Sequence, residues 1–367
     1  MYATAKYDGI DVVPNVTTGE FNTIKLGTPG NYEIMFDIKE GNGASKEVIL
    51  TVLEDDAIVT PDKKGFVNAN NVQITSTKAK EFKDKDELIK LMDAKASYDG
   101  SKVVPIVNTI EFDKIKAGTI GIYDISFSIS EGGGATKICI LTIIDDDAVV
   151  TPDEKGSVFA KNKQITSTNA KQIATIDELI KLMGSRATYN GEVVTPNVIA
   201  NEFAQIQAGT IGIYEVTFNI TEGNGASKTV KLVVMHDDSV VTPDSKGHVY
   251  ANDTEITSSQ AKKLTNESDL IRVMNSSAAY DGIAIVPTVE ATEFNAIKIG
   301  QVGTYDVVFS INEGDAATTN VKLKIVKDEV ITNPEIGDTS ILATIAIYVS
   351  ATIIVVCIYT LRKRKLS

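Results

Sequence analysis

Tryptophan is absent from this chain of 367 residues, and histidine and cysteine occur twice each. Each scarcity removes a class of chemistry. Cys139 falls in an alternating strand pattern and Cys357 in a long uncharged run, so the two are not expected to pair. Folded units must therefore rest on apolar burial instead of disulfides. His236 and His248 have no counterparts elsewhere in the chain, so no Ser-His-Asp or Cys-His arrangement recurs. The expectation is a protein that is not an enzyme and carries no cofactor. Basic residues are too few to balance the acidic ones, leaving a net charge of −13, which repels phosphate backbones and argues against nucleic acid as a partner. The opening residues Met1 to Lys6 have neither a basic start nor an apolar core, so no signal peptide is recognised.

What the chain has in abundance is repetition. Tyr7, Tyr98, Tyr189 and Tyr280 recur at a spacing of 91 residues, as do Tyr32, Tyr123, Tyr214 and Tyr305, without slippage. A fixed period marks a tandem array. Breaks after Asp56, Asp147 and Asp238 give full units at 57–147, 148–238 and 239–329, preceded by a partial unit at 1–56. Thr60-Pro61-Asp62, Thr151-Pro152-Asp153 and Thr242-Pro243-Asp244 open the full units. Met1 falls in register with Met92, Met183 and Met274, so the chain is expected to be the C-terminal part of a longer protein.

Within a unit, Tyr123, Ile125, Phe127 and Ile129 alternate with Asp124, Ser126 and Ser128, the period of a strand with one buried face. Val321, Leu323 and Ile325 alternate with Lys322 and Lys324 in the same way, which places Cys139, the counterpart of Val321, on a core face. Glu131-Gly132-Gly133-Gly134 between these strands is a hairpin signal. Leu88, Ile89, Leu91 and Met92 have helical spacing after Asp84-Lys85-Asp86-Glu87, a stretch like a capping box that recurs at Thr175 to Glu178 and Asn266 to Asp269. One short helix per unit is predicted. Further strands are predicted at 67–74, 96–98, 103–107 and 111–115. About seven short strands in fewer than 100 residues indicate a two-sheet, immunoglobulin-like sandwich.

The string from Ala117 to Phe127, Ala-Gly-Thr-Ile-Gly-Ile-Tyr-Asp-Ile-Ser-Phe, together with the glycine-rich turn and the Asp-Asp linkers, resembles bacterial immunoglobulin-like repeats of Gram-positive surface proteins. The resemblance covers residues 1–329. It implies a β-sandwich module used as a stalk or adhesive segment, with a host or matrix ligand left open. Two readings of Gly121-Ile122-Tyr123 stand side by side: a tyrosine corner, whose hydroxyl bonds nearby backbone, or a plain core tyrosine.

The end of the chain differs. Ile341 to Tyr359 carry no charge, and 19 residues at 1.5 Å each span about 28 Å, close to the thickness of a bilayer core. A transmembrane helix is predicted over 341–361, followed by a basic cytoplasmic tail at 362–367 and preceded by a spacer at 330–340. Arg362-Lys363-Arg364-Lys365 favour the cytoplasmic side, which would leave the repeats extracellular at the cell surface. The whole also resembles a Gram-positive sorting signal. Asn333, Pro334, Glu335, Ile336 and Gly337 stand where that family carries Leu-Pro-x-Thr-Gly, with Pro334 and Gly337 matching. The resemblance implies a sortase that would cut Ile336–Gly337 and join the protein to the cell wall; the competing reading is an uncut membrane tether.

The fold class expected from the sequence is thus mainly β: tandem immunoglobulin-like modules, each with one short helix, then a transmembrane helix. Glu20, Glu111, Glu202 and Glu293 recur, as do Glu40, Glu131, Glu222 and Glu313. Paired carboxylates serve acid–base catalysis, but their places beside phenylalanines and glycine turns favour solvated or turn-bonding roles. Asp55, Asp56, Asp62, Asp145, Asp146, Asp147, Asp153, Asp237, Asp238 and Asp244 crowd the linkers, where the alternatives are calcium ligation and simple solvation; no metal is expected. A Lys–Asn crosslink finds no support at Lys64, Lys155 and Lys246, because the final strands share no asparagine. The function expected is a surface-anchored stalk or adhesin segment. The alternative is the anchoring and spacer region of a surface enzyme whose catalytic domain lies upstream.

Overall fold

The computed structural model describes residues 2–329. The stretch 57–147 shows the repeating module, whose elements in chain order are β1 (Ile58–Val59), β2 (Gly65–Asn68), β3 (Val72–Thr75), α1 (Ser76–Ala79), α2 (Asp86–Leu91), β4 (Lys95–Tyr98), β5 (Ser101–Val103), β6 (Ile106–Asn108), α3 (Phe112–Lys116), β7 (Gly121–Ile129) and β8 (Ala135–Ile144). One sheet runs β5-β4-β2-β1 and is antiparallel throughout. The other runs β6-β7-β8-β3, with β3 parallel to β8. The chain is therefore an array of sandwich-like β modules, and the same two sheets recur in 149–235 and in 240–326.

Alternation along β7 and β8 builds the core. Ile125, Phe127, Leu141 and Ile143 are buried between the sheets, joined by Leu88 from α2 and by Met92, the residue that follows it. Full burial of such a side chain contributes roughly 1.5–3 kcal/mol. Cys139 lies on this face, as predicted. The Glu131–Gly133 turn joins β7 to β8, with Gly132 at φ 61° and Gly134 at φ 83°.

Several expectations are corrected. Residues 111–115, predicted as a strand, lie largely in α3. Phe112 and Ile115 are three residues apart, a helical spacing that buries Ile115 completely. Each full module carries three short α-helices, not one, besides the single 3-10 turn between β7 and β8; α1 begins where Thr75 caps the Lys78 amide. Its Ser76 hydroxyl donates to Gly118 O at 2.7 Å, and a Cβ on Gly118 (φ 68°) would stand 2.5 Å from Ser76 O, so the end of α3 closes directly on α1. The stretch 67–74 divides at Ala69 to Asn71, sending β2 to one sheet and β3 to the other. The stretch 103–107 divides at Pro105, which has no N–H to offer a ladder.

The fold class is corrected as well. No helix among the described residues is long and apolar enough to cross a membrane. The α-helices hold four to seven residues, a rise of about 6–10 Å against the roughly 30 Å of a bilayer core. The described fold is thus mainly β without a membrane-spanning helix. The predicted span 341–361, the spacer 330–340, the tail 362–367 and the motif Asn333 to Gly337 lie outside the described residues.

In residues 2–56 the equivalents of β4 to β8 form a two-stranded and a three-stranded sheet. Tyr32 and Ile34 are buried there, whereas Phe21 is 63 % exposed. Its counterparts Phe112, Phe203 and Phe294 pack against the cores of the full modules.

Candidate functional site

The two tyrosine series do different work. Tyr123 folds back over Gly121 and donates its hydroxyl to Thr119 O at 2.6 Å; Tyr32, Tyr214 and Tyr305 do the same to Thr28, Thr210 and Gln301 at 2.7, 2.7 and 2.8 Å. This is a tyrosine corner. Tyr98 instead donates to the Asp62 carboxylate at 2.7 Å, and Tyr189 and Tyr280 to Asp153 and Asp244 at 2.9 and 2.7 Å.

Those aspartates close a turn. Asp62 accepts from the Thr60 hydroxyl at 2.7 Å and the Lys64 amide at 3.0 Å. Thr60 in turn accepts from the Gly65 amide at 2.8 Å. The Thr60 hydroxyl, followed by Tyr98 and the Lys64 amide, holds the Asp62 carboxyl below its usual range, and Asp153 and Asp244 are lowered similarly, with Thr151 and Thr242 contributing most. Asp146 and Asp237 bind the amide and hydroxyl of Thr77 and Thr168, all at 2.8 Å. Asp62, Asp146, Asp153, Asp237 and Asp244 are thus engaged in internal hydrogen bonds. Among the described residues no three or more acidic, histidine or cysteine side chains converge as metal ligands would.

Three of the repeated glutamates bind locally. Glu111 pairs with Lys114 at 2.8 Å, and Glu131 and Glu222 accept from the amides of Ser130 and Thr221, both at 3.0 Å.

The modules make specific contacts at their junctions. The turn between β4 and β5 of each full module seats on β8, or its equivalent, in the module before. A Cβ on Gly100 would meet Ile49 Cδ1 at 2.6 Å, one on Gly191 would meet Ile140 Cγ2 at 2.7 Å, and one on Gly282 would meet Lys231 Cβ at 2.8 Å. Each glycine has positive φ, from 75° to 80°, as the turn requires. Polar contacts pin the seat. Gln73 donates to Gly156 O at 3.1 Å and Gln164 to Gly247 O at 2.9 Å. Asn162 binds its own β8 equivalent through the Lys231 amide at 2.8 Å and reaches Asp281 O in the next module at 2.9 Å.

One register position at each junction is filled differently. Glu54 accepts from Asn68 at 2.6 Å. Asp145 pairs with Arg186 at 2.5 Å, and that guanidinium lies over Phe159 at 4.8 Å. His236 stacks on Tyr250, with ring centroids 3.7 Å apart and planes 6° from parallel. The chain's other histidine, His248, is 5 % exposed at the same junction, its Nδ1 3.2 Å from Gln164 Oε1. Burial, with a smaller contribution from His236, pushes the His248 imidazole down to about 4; burial lowers His236 too. Sequence reasoning dismissed both histidines for lacking counterparts. The signal was their shared place beside one module boundary.

A groove beside each of the first two junctions is lined by equivalent residues, including Gly30, Thr51 and Asn68 at one and Gly121, Thr142 and Phe159 at the other. Neither assembles a nucleophile with a base.

No family model matches the chain. An uncharacterized 81.3 kDa protein of Acholeplasma phage L2 is 23 % identical over 342 residues, covering 93 % of this chain; the chain spans 42 % of that relative's length. Among solved structures, the M60 catalytic domain with two CBM51 domains from Clostridium perfringens ZmpB is 10 % identical, covering 82 % of this chain and 34 % of that one at a TM-score of 0.17. The protocadherin gammaB7 EC3-6 cis-dimer structure is 10 % identical over 88 % of this chain and 93 % of that one at a TM-score of 0.16, and Drosophila N-cadherin EC1-4 is 8 % identical over 82 % and 83 % at 0.16. Scores this low carry no weight for placement or activity.

Proposed function

We propose that the array is a non-catalytic stalk or adhesin segment at a cell surface, with each module locked onto its neighbour so that the chain projects as a rod. The observation that supports this most is the repeated seat of the β4–β5 turn on the preceding β8. A run of modules joined only by bare linkers would need no such contact, and relative motion would be its default. Strands of nine or ten residues set a module length of roughly 35 Å, so the array extends on the order of 100–150 Å. Covalent attachment to cell wall through Asn333 to Gly337, and a host or matrix ligand for an adhesive role, belong to the same proposal.

Small-angle X-ray scattering tests the rod. The intact chain should give an extended, stiff profile, and Gly191→Val, which drives a side chain into Ile140, should loosen it. A compact profile, or one that Gly191→Val leaves unchanged, would remove the junction from the account. For attachment, mass spectrometry of surface-released protein should find a C-terminus at Ile336; one beyond Gly337 would count against it.

A further inference from the structure

The module 57–147 holds a buried amine against a carboxamide. Lys137 on β8 is 9 % exposed and Asn68, the last residue of β2, is 4 % exposed. Lys137 Nζ donates to Asn68 Oδ1 at 2.7 Å, bridging the two sheets. Carboxylates from the preceding linker stand at both ends of the pair. Asp56 Oδ2 lies 2.5 Å from Nζ, and Glu54 Oε2 accepts from Asn68 Nδ2 at 2.6 Å. Nζ also donates to the Asp56 carbonyl at 2.8 Å.

We infer that Lys137 and Asn68 join through an intramolecular isopeptide bond that ties β8 to β2. Asp56 takes a proton from the ammonium, and the neutral Nζ attacks Asn68 Cγ. The new bond is Cγ–Nζ and the bond that breaks is Cγ–Nδ2. Of the three protons on the starting ammonium, one stays on the new secondary amide, one leaves on the departing nitrogen as ammonia, and one passes to solvent through the carboxylates. Glu54 holds the leaving nitrogen throughout. No oxidant or outside reagent enters the balance. The buried setting favours the exchange, because it replaces a charged amine beside an amide with a neutral link.

The repeats supply an internal control. Module 148–238 keeps the lysine, with Lys228 donating to Asp147 O at 2.7 Å, but Phe159 stands where Asn68 does. Module 239–329 has Tyr250 and Thr319 at the two places. A single link is therefore expected in the chain. It would join residues 69 apart, so tension applied to the ends of the module would pass from β2 to β8 and bypass everything between them. Asn68 lies near the start of its module and Lys137 in its last strand, the reverse of the order that Lys64, Lys155 and Lys246 would need.

Intact mass of the full chain tests the inference. The protein should weigh about 17 Da less than its sequence requires, the loss of one ammonia, and a proteolytic digest should contain one branched peptide carrying both Asn68 and Lys137. Lys137→Arg and Asn68→Ala should each restore the full mass, and Asp56→Ala, which keeps both reactants, should leave most molecules unlinked. The full mass in the unaltered protein, with Asn68 and Lys137 in separate linear peptides after prolonged incubation at neutral pH, would overturn the inference. So would a deficit that persists in Lys137→Arg, since an asparagine that cyclises on its own backbone loses the same mass. The unaltered protein answers the question whether or not any variant folds.

Discussion

Tyr98 donates its hydroxyl to Asp62, 36 residues earlier in the chain, at 2.7 Å, and the contact fits only because Gly132 has no side chain. A Cβ there would stand 2.5 Å from Asp62 Oδ1 and 2.7 Å from the tyrosine ring. The opening turn of a module is thereby latched to the turn between β7 and β8, at one end of the sandwich.

Acid should open that latch. The folded carboxyls of Asp62, Asp153 and Asp244 titrate below their usual range. On falling pH the unfolded chain therefore takes up these protons first. The stability they contribute is complete above about pH 4 and is lost below it as the folded carboxyls protonate. Asp62→Asn should lower the urea midpoint at pH 7 and reduce the difference between pH 7 and pH 3. An undiminished pH difference in the triple variant with Asp153→Asn and Asp244→Asn would assign the acid sensitivity to other groups.

The junction beside His248 should respond at milder pH. Its imidazole is pushed down to about 4 from an ordinary 6.5 by burial, with His236 adding repulsion. The unfolded or undocked chain accepts the proton in that interval, so stability is complete above about pH 6.5 and declines by up to about 3 kcal/mol on descent to pH 4. Gln164 and His236 are the groups that face it. Differential scanning calorimetry of the full chain should show one transition falling between pH 7 and pH 5, and His248→Ser, the residue at the equivalent Ser157, should flatten that fall.

The tyrosine corners should be worth one hydrogen bond each. Tyr214→Phe keeps the ring in a 4 % exposed site and removes only the 2.7 Å bond to Thr210 O. A loss of about 1 kcal/mol is expected. Chemical denaturation of the full chain should shift the transition of module 148–238 alone, and no shift would mean that the ring does the work.

Core deletion should be far more costly. Phe218 is completely buried between the sheets of its module. Phe218→Ala should remove about 3–5 kcal/mol, enough to unfold one module while its neighbours keep their transitions. Circular dichroism with thermal melting would register the partial loss.

The alternation of Tyr123 to Ile129 was sufficient to place β7, its buried face and the core position of Cys139, because a period of two leaves no other face for those side chains. The parallel pairing of β3 with β8 was not legible: Val72 and Leu141 are far apart in sequence, and nothing local in either marks the partner. α3 was misassigned because Glu111 to Ile115 is too short for its period to be decisive, and Gly118, which closes it, lies beyond the window. The recurrent tyrosines announced themselves by position, but their two roles depend on Thr119 O and Asp62, which only folding brings near. Lys137 and Asn68 were missed for a related reason. They do not recur together, since Phe159 and Tyr250 stand at the register position of Asn68, so the 91-residue period gives no sign of the pair.

The unequal contents of the junctions bear on how such a chain finds its native state. Tandem near-copies invite error, since β8 of one module could pair with β3 of another and a growing chain could exchange segments between neighbours. Glu54 with Asn68, Asp145 with Arg186 and Phe159, and His236 with Tyr250 occupy one register position with three different chemistries. A carboxylate intended for a guanidinium is poorly served by an aromatic ring, and a histidine stacked on tyrosine has little to gain from an asparagine. Each boundary therefore carries its own identity, and a module that settles beside the wrong neighbour forfeits the contact that its proper one supplies.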